Sequence, residues 1–174
     1  VGLTFETALS SFLRHDPDKI LVGELRDSIT AKVAIQAALT GHLVLGTLHT
    51  NDAPSAVTRL VDMGLDTYLI ADTVRGILAQ RLMRRICEKC RIEAVPSKEE
   101  RGLMEKYRIS HVYYGKGCPA CHNTGYSGRL GIFEWLPISA EIRQAIRQKT
   151  SLEELQKIAQ QQGLIPLRDA AVEI

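Results

Sequence analysis

The 174-residue sequence predicts an α/β fold, followed by a module built on four cysteines and a small helical C-terminal region. Two short apolar runs near the start flank a segment of helical length. This strand, helix, strand order is typical of a parallel sheet with a right-handed crossover. Two Cys-x-x-Cys motifs follow, and a helix-capping sequence lies in the last part. The predicted boundaries are residues 1–85, 86–130 and 131–174.

The composition is typical of a chain with a hydrophobic core. Hydrophobic residues make up 45% of the sequence and charged residues 24%, with a formal net charge of +2. A disordered tail combines low hydrophobicity with high net charge, so the composition argues against that class. The small net charge argues against a strongly basic nucleic-acid binder, and the scarcity of aromatic residues argues against a base-stacking surface.

Residues 33–51 come closest in length to a membrane span, because they contain no Asp, Glu, Lys or Arg. Polar side chains interrupt this segment, among them Gln36, His42 and Asn51, and such groups are costly in hydrocarbon. The segment therefore predicts a buried helix followed by a buried strand.

The first part of the chain predicts two helices and two strands. Apolar residues at helical spacing indicate a helix from Thr4 to Arg14, which Pro17 ends because the residue before a proline disfavours helical backbone. A second helix runs from the caps at Asp27 and Ser28 to Leu39. The apolar runs on either side of it are strands buried on both faces, residues 20–22 and 43–48.

The rest of the chain predicts mainly helices. Asp52 caps one helix, and Asp66 begins a longer one whose apolar stripe continues to Leu82. Beyond the cysteines, residues 132–136 predict a strand. Two or three helices then complete the chain, one of them opened by the capping box Ser151-x-x-Glu154.

The four cysteines predict a structural zinc site. Cys87-x-x-Cys90 and Cys118-x-x-Cys121 each present two thiolates from one tight turn, and four thiolates complete the tetrahedral shell that zinc prefers. The spacer between the two pairs is long enough for an element of its own, and residues 97–107 predict a helix there. Four sulfurs leave no open position, so the sequence favours structural over catalytic zinc.

Other uses of the cysteines are less consistent with the sequence. A pair of disulfides is disfavoured in a chain without a signal sequence. A redox dithiol needs only one Cys-x-x-Cys pair. His111 and His122 are further possible ligands, but the four thiolates already close the shell.

Phosphate chemistry is suggested at the end of the first strand. Residues 20–22 lead into Gly23 and Glu24, and in P-loop nucleotidases such an acid contacts the Mg²⁺ shell or polarises the attacking water. Many strands, however, end in a carboxylate that merely meets solvent. His42 and His49 bracket the second strand, and a histidine at its C-terminal end can donate to a γ-phosphate. The same end can equally serve to cap the following helix, and the spacing alone leaves both interpretations open.

Several longer stretches resemble the secretion ATPases of type II secretion and type IV pilus assembly. They occur in the family's order: Leu13-Arg14-His15-Asp16-Pro17-Asp18, Val22-Gly23-Glu24-Leu25-Arg26-Asp27, Thr40-Gly41-His42-Leu43-Val44, Thr47-Leu48-His49-Thr50-Asn51-Asp52-Ala53, Ala79-Gln80-Arg81-Leu82, both cysteine pairs, and Asn123-Thr124-Gly125-Tyr126-x-Gly128-Arg129 leading into Gly131-Ile132-Phe133-Glu134. The resemblance implies the C-terminal part of a RecA-like P-loop ATPase domain that uses ATP and Mg²⁺. Tetracysteine motifs mark the assembly-type members of this family.

The resemblance also implies roles for single residues and for the whole protein. Glu24 is similar to the Walker B acid, with Gly23 where many nucleotidases have aspartate, and His49 with His42 resembles the family's His box. Arg14 and Arg26 match arginines near the nucleotide or the subunit boundary. The implied assembly is a homohexamer, cytoplasmic and peripheral to the inner membrane. Its implied partners are the inner-membrane platform and cytoplasmic-domain proteins of the secretion or pilus machine.

The sequence departs from the family pattern in one important respect. It contains no G-x-x-x-x-G-K-[ST] motif, and therefore no phosphate-cradling loop. The family's acidic box and N-terminal domain are missing as well, so the chain resembles only the back half of the motor. We therefore expect the isolated chain not to hydrolyse ATP.

Two other classes of protein share single features with this sequence. A zinc-ribbon nucleic-acid module is suggested by a basic stretch: Arg75, Arg81, Arg84, Arg85, Lys89 and Arg91. Arg81, Arg84 and Arg85, however, are predicted along a helix whose other face is apolar, which is the pattern of a solvated face or a subunit interface, so no specific nucleic-acid partner is expected. A chaperone-like zinc domain repeats its cysteine pair four times, whereas this chain has two pairs.

Overall fold

The computed structural model describes residue 2 and residues 4–15 and 17–172. Its helices are α1 (Phe5–Phe12), α2 (Ser28–Leu39), α3 (Ala53–Asp62), α4 (Thr67–Thr73), α5 (Lys98–Tyr107), α6 (Ala140–Arg147), α7 (Leu152–Gln161) and α8 (Leu167–Ala170). Its strands are β1 (Lys19–Val22), β2 (Leu43–Gly46), β3 (Gly76–Ile86), β4 (Arg91–Ala94), β5 (Val112–Gly115) and β6 (Tyr126–Pro137). Short 3₁₀ turns span Leu13–His15 and Pro119–Cys121.

The described chain forms two compact units. One contains the residues up to 79 together with 134–166, and the other contains 80–133 together with the segment from 167 onward. Strands β3 and β6, which pair with each other, therefore contribute residues to both units. The three-part division at residues 85 and 130 stays a prediction.

The predicted α/β fold is confirmed, with both parallel and antiparallel strand pairs. Strands β1 and β2 are parallel, with Lys19 opposite Leu43 and Val22 opposite Gly46. Helix α2 connects them, as the strand, helix, strand order predicts. Strands β4 and β5 form an antiparallel hairpin, and α5 lies between them in the sequence. This is the helix predicted between the two cysteine pairs.

Capping side chains fix where the helices near β1 and β2 begin. The Asp27 carboxylate accepts a hydrogen bond from the Thr30 amide at 2.8 Å, and this bond lowers the pKa of Asp27. The Asp52 carboxylate accepts one from the Ser55 amide at 2.7 Å. Helix α2 ends at Leu39, followed by Thr40 and by Gly41 with φ of +100°, so residues 33–51 comprise the end of a helix, a turn and a strand with the residues after it. Within the described ranges, no helix has the length and apolar character needed to cross a membrane.

The core of the first unit lies among helices α3, α4, α6 and α7 and the end of β6. Its most deeply buried large side chains include Leu60, Ile70, Leu136, Ile142 and Leu155. Burying each such side chain contributes about 1.5–3 kcal/mol. A smaller cluster, formed by Ile20, Val22, Val33 and Ala37, packs α2 against the β1–β2 pair.

The predicted long helix from Asp66 to Leu82 is wrong. Helix α4 ends at Thr73, Val74 adopts extended backbone, and residues 76–86 form β3. The ring of Trp135 occupies the space that a Cβ at Gly76 would need, so a residue distant in sequence fixes this strand. Arg81, Arg84 and Arg85 consequently lie on a strand and not along a helix.

The other differences concern element ends. Helix α1 stops at Phe12 and continues as a 3₁₀ turn to His15, and Asp16 lies outside the described residues. Strand β2 ends at Gly46, two residues before the predicted end. The strand predicted at residues 132–136 is confirmed as the end of the longer β6. Ser151 caps α7 by accepting from the Glu154 amide at 3.3 Å.

Candidate functional site

Glu24 and His49 meet at one edge of the β1–β2 pair. Glu24 follows β1 and His49 follows β2, and the carboxyl ends of neighbouring parallel strands lie side by side. The Glu24 Oε1 atom lies 3.0 Å from His49 Nε2. The two segments are tied together beyond the strands, because the Leu25 amide donates to the Thr47 carbonyl at 2.9 Å and the Thr47 hydroxyl donates to the Gly23 carbonyl.

Arg26 completes this group of side chains. Its Nε donates to Glu24 Oε2 at 2.6 Å, so the two carboxylate oxygens have different partners. The Glu24 side chain is only 23% exposed, whereas those of Arg26 and His49 are 78% and 86% exposed. The Glu24 carboxylate is therefore partly buried, whereas the Arg26 guanidinium and the His49 imidazole are exposed. The two exposed groups can bind a negatively charged ligand that arrives from solvent.

The other two residues predicted for the nucleotide lie elsewhere. His42 precedes β2, at the end of the strand away from His49. Its Nδ1 lies 3.0 Å from the Ala37 carbonyl and 3.1 Å from the Thr40 hydroxyl, so its ring is held against the C-terminal end of α2. Arg14 lies in the 3₁₀ turn before β1. Of the five predicted residues, the structure thus brings together Glu24, Arg26 and His49.

One buried acid was missed by the sequence analysis. Glu134 is 3% exposed, and its Oε1 accepts a hydrogen bond from the Ala53 amide at 2.7 Å. Because side chains alternate along a strand, Glu134 shares the buried face of β6 with Ile132 and Leu136. That alternation was available in the sequence and could have identified Glu134 as a buried carboxylate.

The four cysteines form a compact cluster. Their sulfur atoms all lie within 4.8 Å of one another, and the closest pairs are 3.8–3.9 Å apart. A tetrahedral zinc ion with bonds near 2.3 Å places its sulfur ligands about 3.8 Å apart. All four cysteines are free thiols. The donor set and its spacing therefore fit a four-sulfur metal centre formed by Cys87, Cys90, Cys118 and Cys121.

Two of the thiols differ strongly in acidity. Burial raises the pKa of Cys90 to about 12. Burial also acts to raise the pKa of Cys121, but hydrogen bonds from the Cys118 and Gly125 amides outweigh it and lower this pKa to about 6. Cys121 therefore loses its proton more readily than Cys90, and a bound metal has to displace the Cys90 proton.

Backbone contacts hold the two cysteine pairs together. The Cys87 amide donates to the Gly125 carbonyl at 2.9 Å, and the Lys116 amide donates to the Cys90 carbonyl at 3.0 Å. Gly115 and Gly125 approach so closely that a Cβ on either would collide with the backbone of the other. The approach of these two glycines is therefore part of the cluster's geometry.

We expect Gly125→Ala to lower zinc affinity at least about tenfold, because the added methyl group pushes residues 115 and 125 apart. Gly128→Ala is the matched control, since both glycines have φ of +78° but a Cβ at Gly128 meets nothing within 4 Å. Zinc transfer to a coloured chelator measures both affinities. Equal affinities for the two variants would show that the contact with Gly115 is unimportant.

Comparison with known proteins identifies the family. Residues 1–173 match the family described as Type II/IV secretion system protein. The chain is 50% identical to the Type IV pilus assembly ATPase PilB of Thermus thermophilus, covering 97% of this chain and 19% of that protein. It is 48% identical to the Type II secretion system protein HxcR of Pseudomonas aeruginosa, covering 97% of this chain and 33% of that protein. The chain thus spans a third or less of the length of these relatives.

Solved structures show the same relationship. The crystal structure of the pilus retraction motor PilT with bound ADP is 30% identical and covers 96% of this chain and 42% of its own, with a TM-score of 0.56. The ATPase DotB of Legionella pneumophila is 25% identical and covers 97% of this chain and 37% of its own, with a TM-score of 0.60. The chain therefore belongs to the family of type II/IV secretion system proteins, and over 97% of its length it aligns with a protein named as a type IV pilus assembly ATPase and with one named as a type II secretion system protein.

Proposed function

We propose that this chain is the C-terminal part of a RecA-like ATPase domain, whose full-length protein hydrolyses ATP to drive pseudopilus or pilus assembly. The observation that carries the proposal is the Glu24–His49 pair at the carboxyl edge of two parallel strands. Ligands of open α/β sheets bind at this edge. The relatives that match 97% of the chain support it, because they include a protein named as a pilus assembly ATPase.

Each residue of the pair has a proposed task. Glu24 orients or polarises the attacking water, or contacts the Mg²⁺ shell, with its second oxygen held by Arg26. Bound Mg²⁺ neutralises charge that develops on the phosphates. His49 is exposed and contacts the γ-phosphate. Arg26 and Arg14 contribute positive charge near the nucleotide or a neighbouring subunit, while His42 fixes the start of β2 from the opposite edge.

Zinc and assembly complete the proposal. The four cysteines hold one structural Zn²⁺, which fits the spacing of their sulfur atoms. The full-length protein forms a homohexamer at the cytoplasmic face of the inner membrane. There it acts on the platform and cytoplasmic-domain proteins of its machine.

His49→Ala in the full-length ATPase tests the proposed γ-phosphate contact. We expect kcat to fall at least about tenfold with little change in ADP affinity, because ADP lacks the group that His49 contacts. The imidazole is 86% exposed, so its removal should leave the melting temperature nearly unchanged. Phosphate release, ADP titration and thermal melting give the three quantities.

His111→Ala is the matched control, since His111 is also exposed and pairs with a glutamate, with 2.7 Å between His111 Nδ1 and Glu93 Oε1. It should leave turnover unchanged. Equal weakening of ADP and ATP binding by His49→Ala, together with a lower melting temperature, would instead assign His49 to the stability of the strand end.

The basic stretch offers less support for a nucleic-acid module. Arg84 lies over the ring of Tyr126 at 4.0 Å, and Arg91 over that of Tyr113 at 3.8 Å. Arg85 pairs with Glu88 at 3.3 Å. These intramolecular contacts compete with phosphate binding and therefore weaken the nucleic-acid alternative. A salt-dependent shift of the chain with an oligonucleotide would revive the alternative.

A further inference from the structure

A buried carboxylate lies at the N-terminus of α3. Glu134, on β6, is 3% exposed, and its Oε1 accepts a hydrogen bond from the Ala53 amide at 2.7 Å. Ala53 and Pro54 are themselves buried. A carboxylate in such a place is stable only where hydrogen bonds and nearby positive potential compensate for lost hydration. The Ala53 amide contributes to the first and the positive end of the α3 dipole to the second.

The first turn of α3 has few donors, and two acids use them. A helix leaves its first four amides without partners inside the helix, but Pro54, in this turn, has no amide hydrogen. The Ser55 amide donates to Asp52, the residue before the helix, at 2.7 Å. The Ala53 amide donates to Glu134, which is 81 residues away in sequence. Glu134 thus acts as a second cap of α3, contributed by strand β6.

The capped end of α3 is also the end of the segment that carries His49. Only Thr50, Asn51 and Asp52 separate His49 from Ala53, and the Thr50 hydroxyl donates to the Asp52 carbonyl at 3.1 Å. On its other side, His49 follows β2 and contacts Glu24. The imidazole is 86% exposed, and the backbone that carries it is held by β2 on one side and by the hydrogen bond of the Ala53 amide to Glu134 on the other, so both ends contribute to its position.

We propose that Glu134 is a positioning residue for His49: by fixing the Ala53 amide, it holds the segment 49–53 so that the imidazole faces Glu24. The effect of Glu134 on catalysis rests on the proposed ATPase function, whereas its effect on the position of residues 49–53 does not. The negative charge and the acceptor oxygen of Glu134 both contribute to holding the Ala53 amide. Glutamine keeps only the oxygen, so Glu134→Gln should retain part of this effect, and Glu134→Ala should retain none.

The 174-residue chain itself allows the first test. In Glu134→Ala, we expect the Ala53 amide to exchange with solvent at least about tenfold faster and the imidazole signals of His49 to shift, with Glu134→Gln intermediate. Leu136→Ala is the matched control, because it empties a buried position two residues along the same face of β6, in the core cluster that includes Ala53, and leaves the Glu134 carboxylate in place. NMR at fixed pH, after the melting temperatures are compared, follows both signals.

Each outcome decides the proposal. Ala53 exchange no faster than in the Leu136→Ala control would overturn it. So would faster Ala53 exchange with unmoved His49 signals, since Glu134 would then cap α3 only. If Glu134→Ala does not fold, Glu134→Gln decides alone: Ala53 exchange at least about threefold faster than in the unsubstituted chain, with shifted His49 signals, supports the proposal. Absence of either change overturns it.

The full-length ATPase separates this inference from the proposed function. We expect Glu134→Gln to lower kcat with a smaller change in KM for ATP. The decrease in kcat should be in the same direction as in His49→Ala but smaller. If His49→Ala abolishes turnover while Glu134→Gln leaves it intact, the positioning role fails and the ATPase assignment stands. If His49→Ala leaves turnover intact, the proposed role of His49 fails, and the exchange experiment still decides whether Glu134 holds the segment.

Discussion

Replacing Glu24 with Gln in the full-length ATPase is expected to lower kcat for MgATP at least about 100-fold while nucleotide binding is retained. Glutamine keeps the shape of the side chain but removes the charge that orients or polarises the attacking water. It also removes the ion pair with Arg26, whose Nε lies 2.6 Å from Glu24 Oε2. Phosphate release measures the turnover, and titration with a fluorescent ATP analogue measures binding.

Glu93→Gln provides the matched control for that experiment. Glu93 also pairs with a histidine, its Oε1 lying 2.7 Å from His111 Nδ1, but the pair lies on the β4–β5 hairpin and outside the proposed nucleotide site. It should leave turnover unchanged. Near-normal turnover in Glu24→Gln would remove Glu24 from the catalytic step, and equal losses in the two variants would point to a general effect of losing a Glu–His pair.

The elements around the candidate site were predictable because their signals are local. Asp27 and Asp52 precede their helices directly and accept from amides three residues ahead. The apolar runs of β1 and β2 are short and bounded, and a helix between them leads to parallel pairing. This pairing alone places Glu24 and His49 together at the C-terminal ends of the two strands. It also places His42 at the N-terminal end of β2.

Residues 66–82 could not be assigned from local pattern. Apolar residues at helical spacing continue through β3, and only pairing with β6 determines that the chain is extended there. The contact of the Trp135 ring with Gly76 joins positions 59 residues apart. The same limit applies to Glu134, since its alternation with Ile132 and Leu136 indicates burial but not that its partner is the Ala53 amide.

Removing zinc is expected to loosen the cysteine module while the β1–β2 pair stays intact. Among the described residues of the second unit, the buried apolar side chains are Cys87, Cys121 and Ile132, and α5 has no buried residue. Structural zinc contributes on the order of 10 kcal/mol or more of apparent binding free energy in small domains at neutral pH. Cys118→Ser or a chelator should therefore raise hydrogen exchange across residues 86–130 at least about tenfold, and exchange at residues 20–48 should stay within about twofold.

The control for Cys118→Ser is a substitution beside the cluster that leaves every sulfur in place. His122 follows Cys121 and has φ of +52°, a backbone conformation that asparagine tolerates, so His122→Asn should keep one zinc ion per chain and the exchange pattern of the unsubstituted protein. Loss of zinc in His122→Asn would place the imidazole among the ligands. A metal content near zero in chain purified under reducing, zinc-replete conditions would exclude the four-sulfur site. The compactness of residues 86–130 would then have to come from the β4–β5 hairpin and the contact between Gly115 and Gly125.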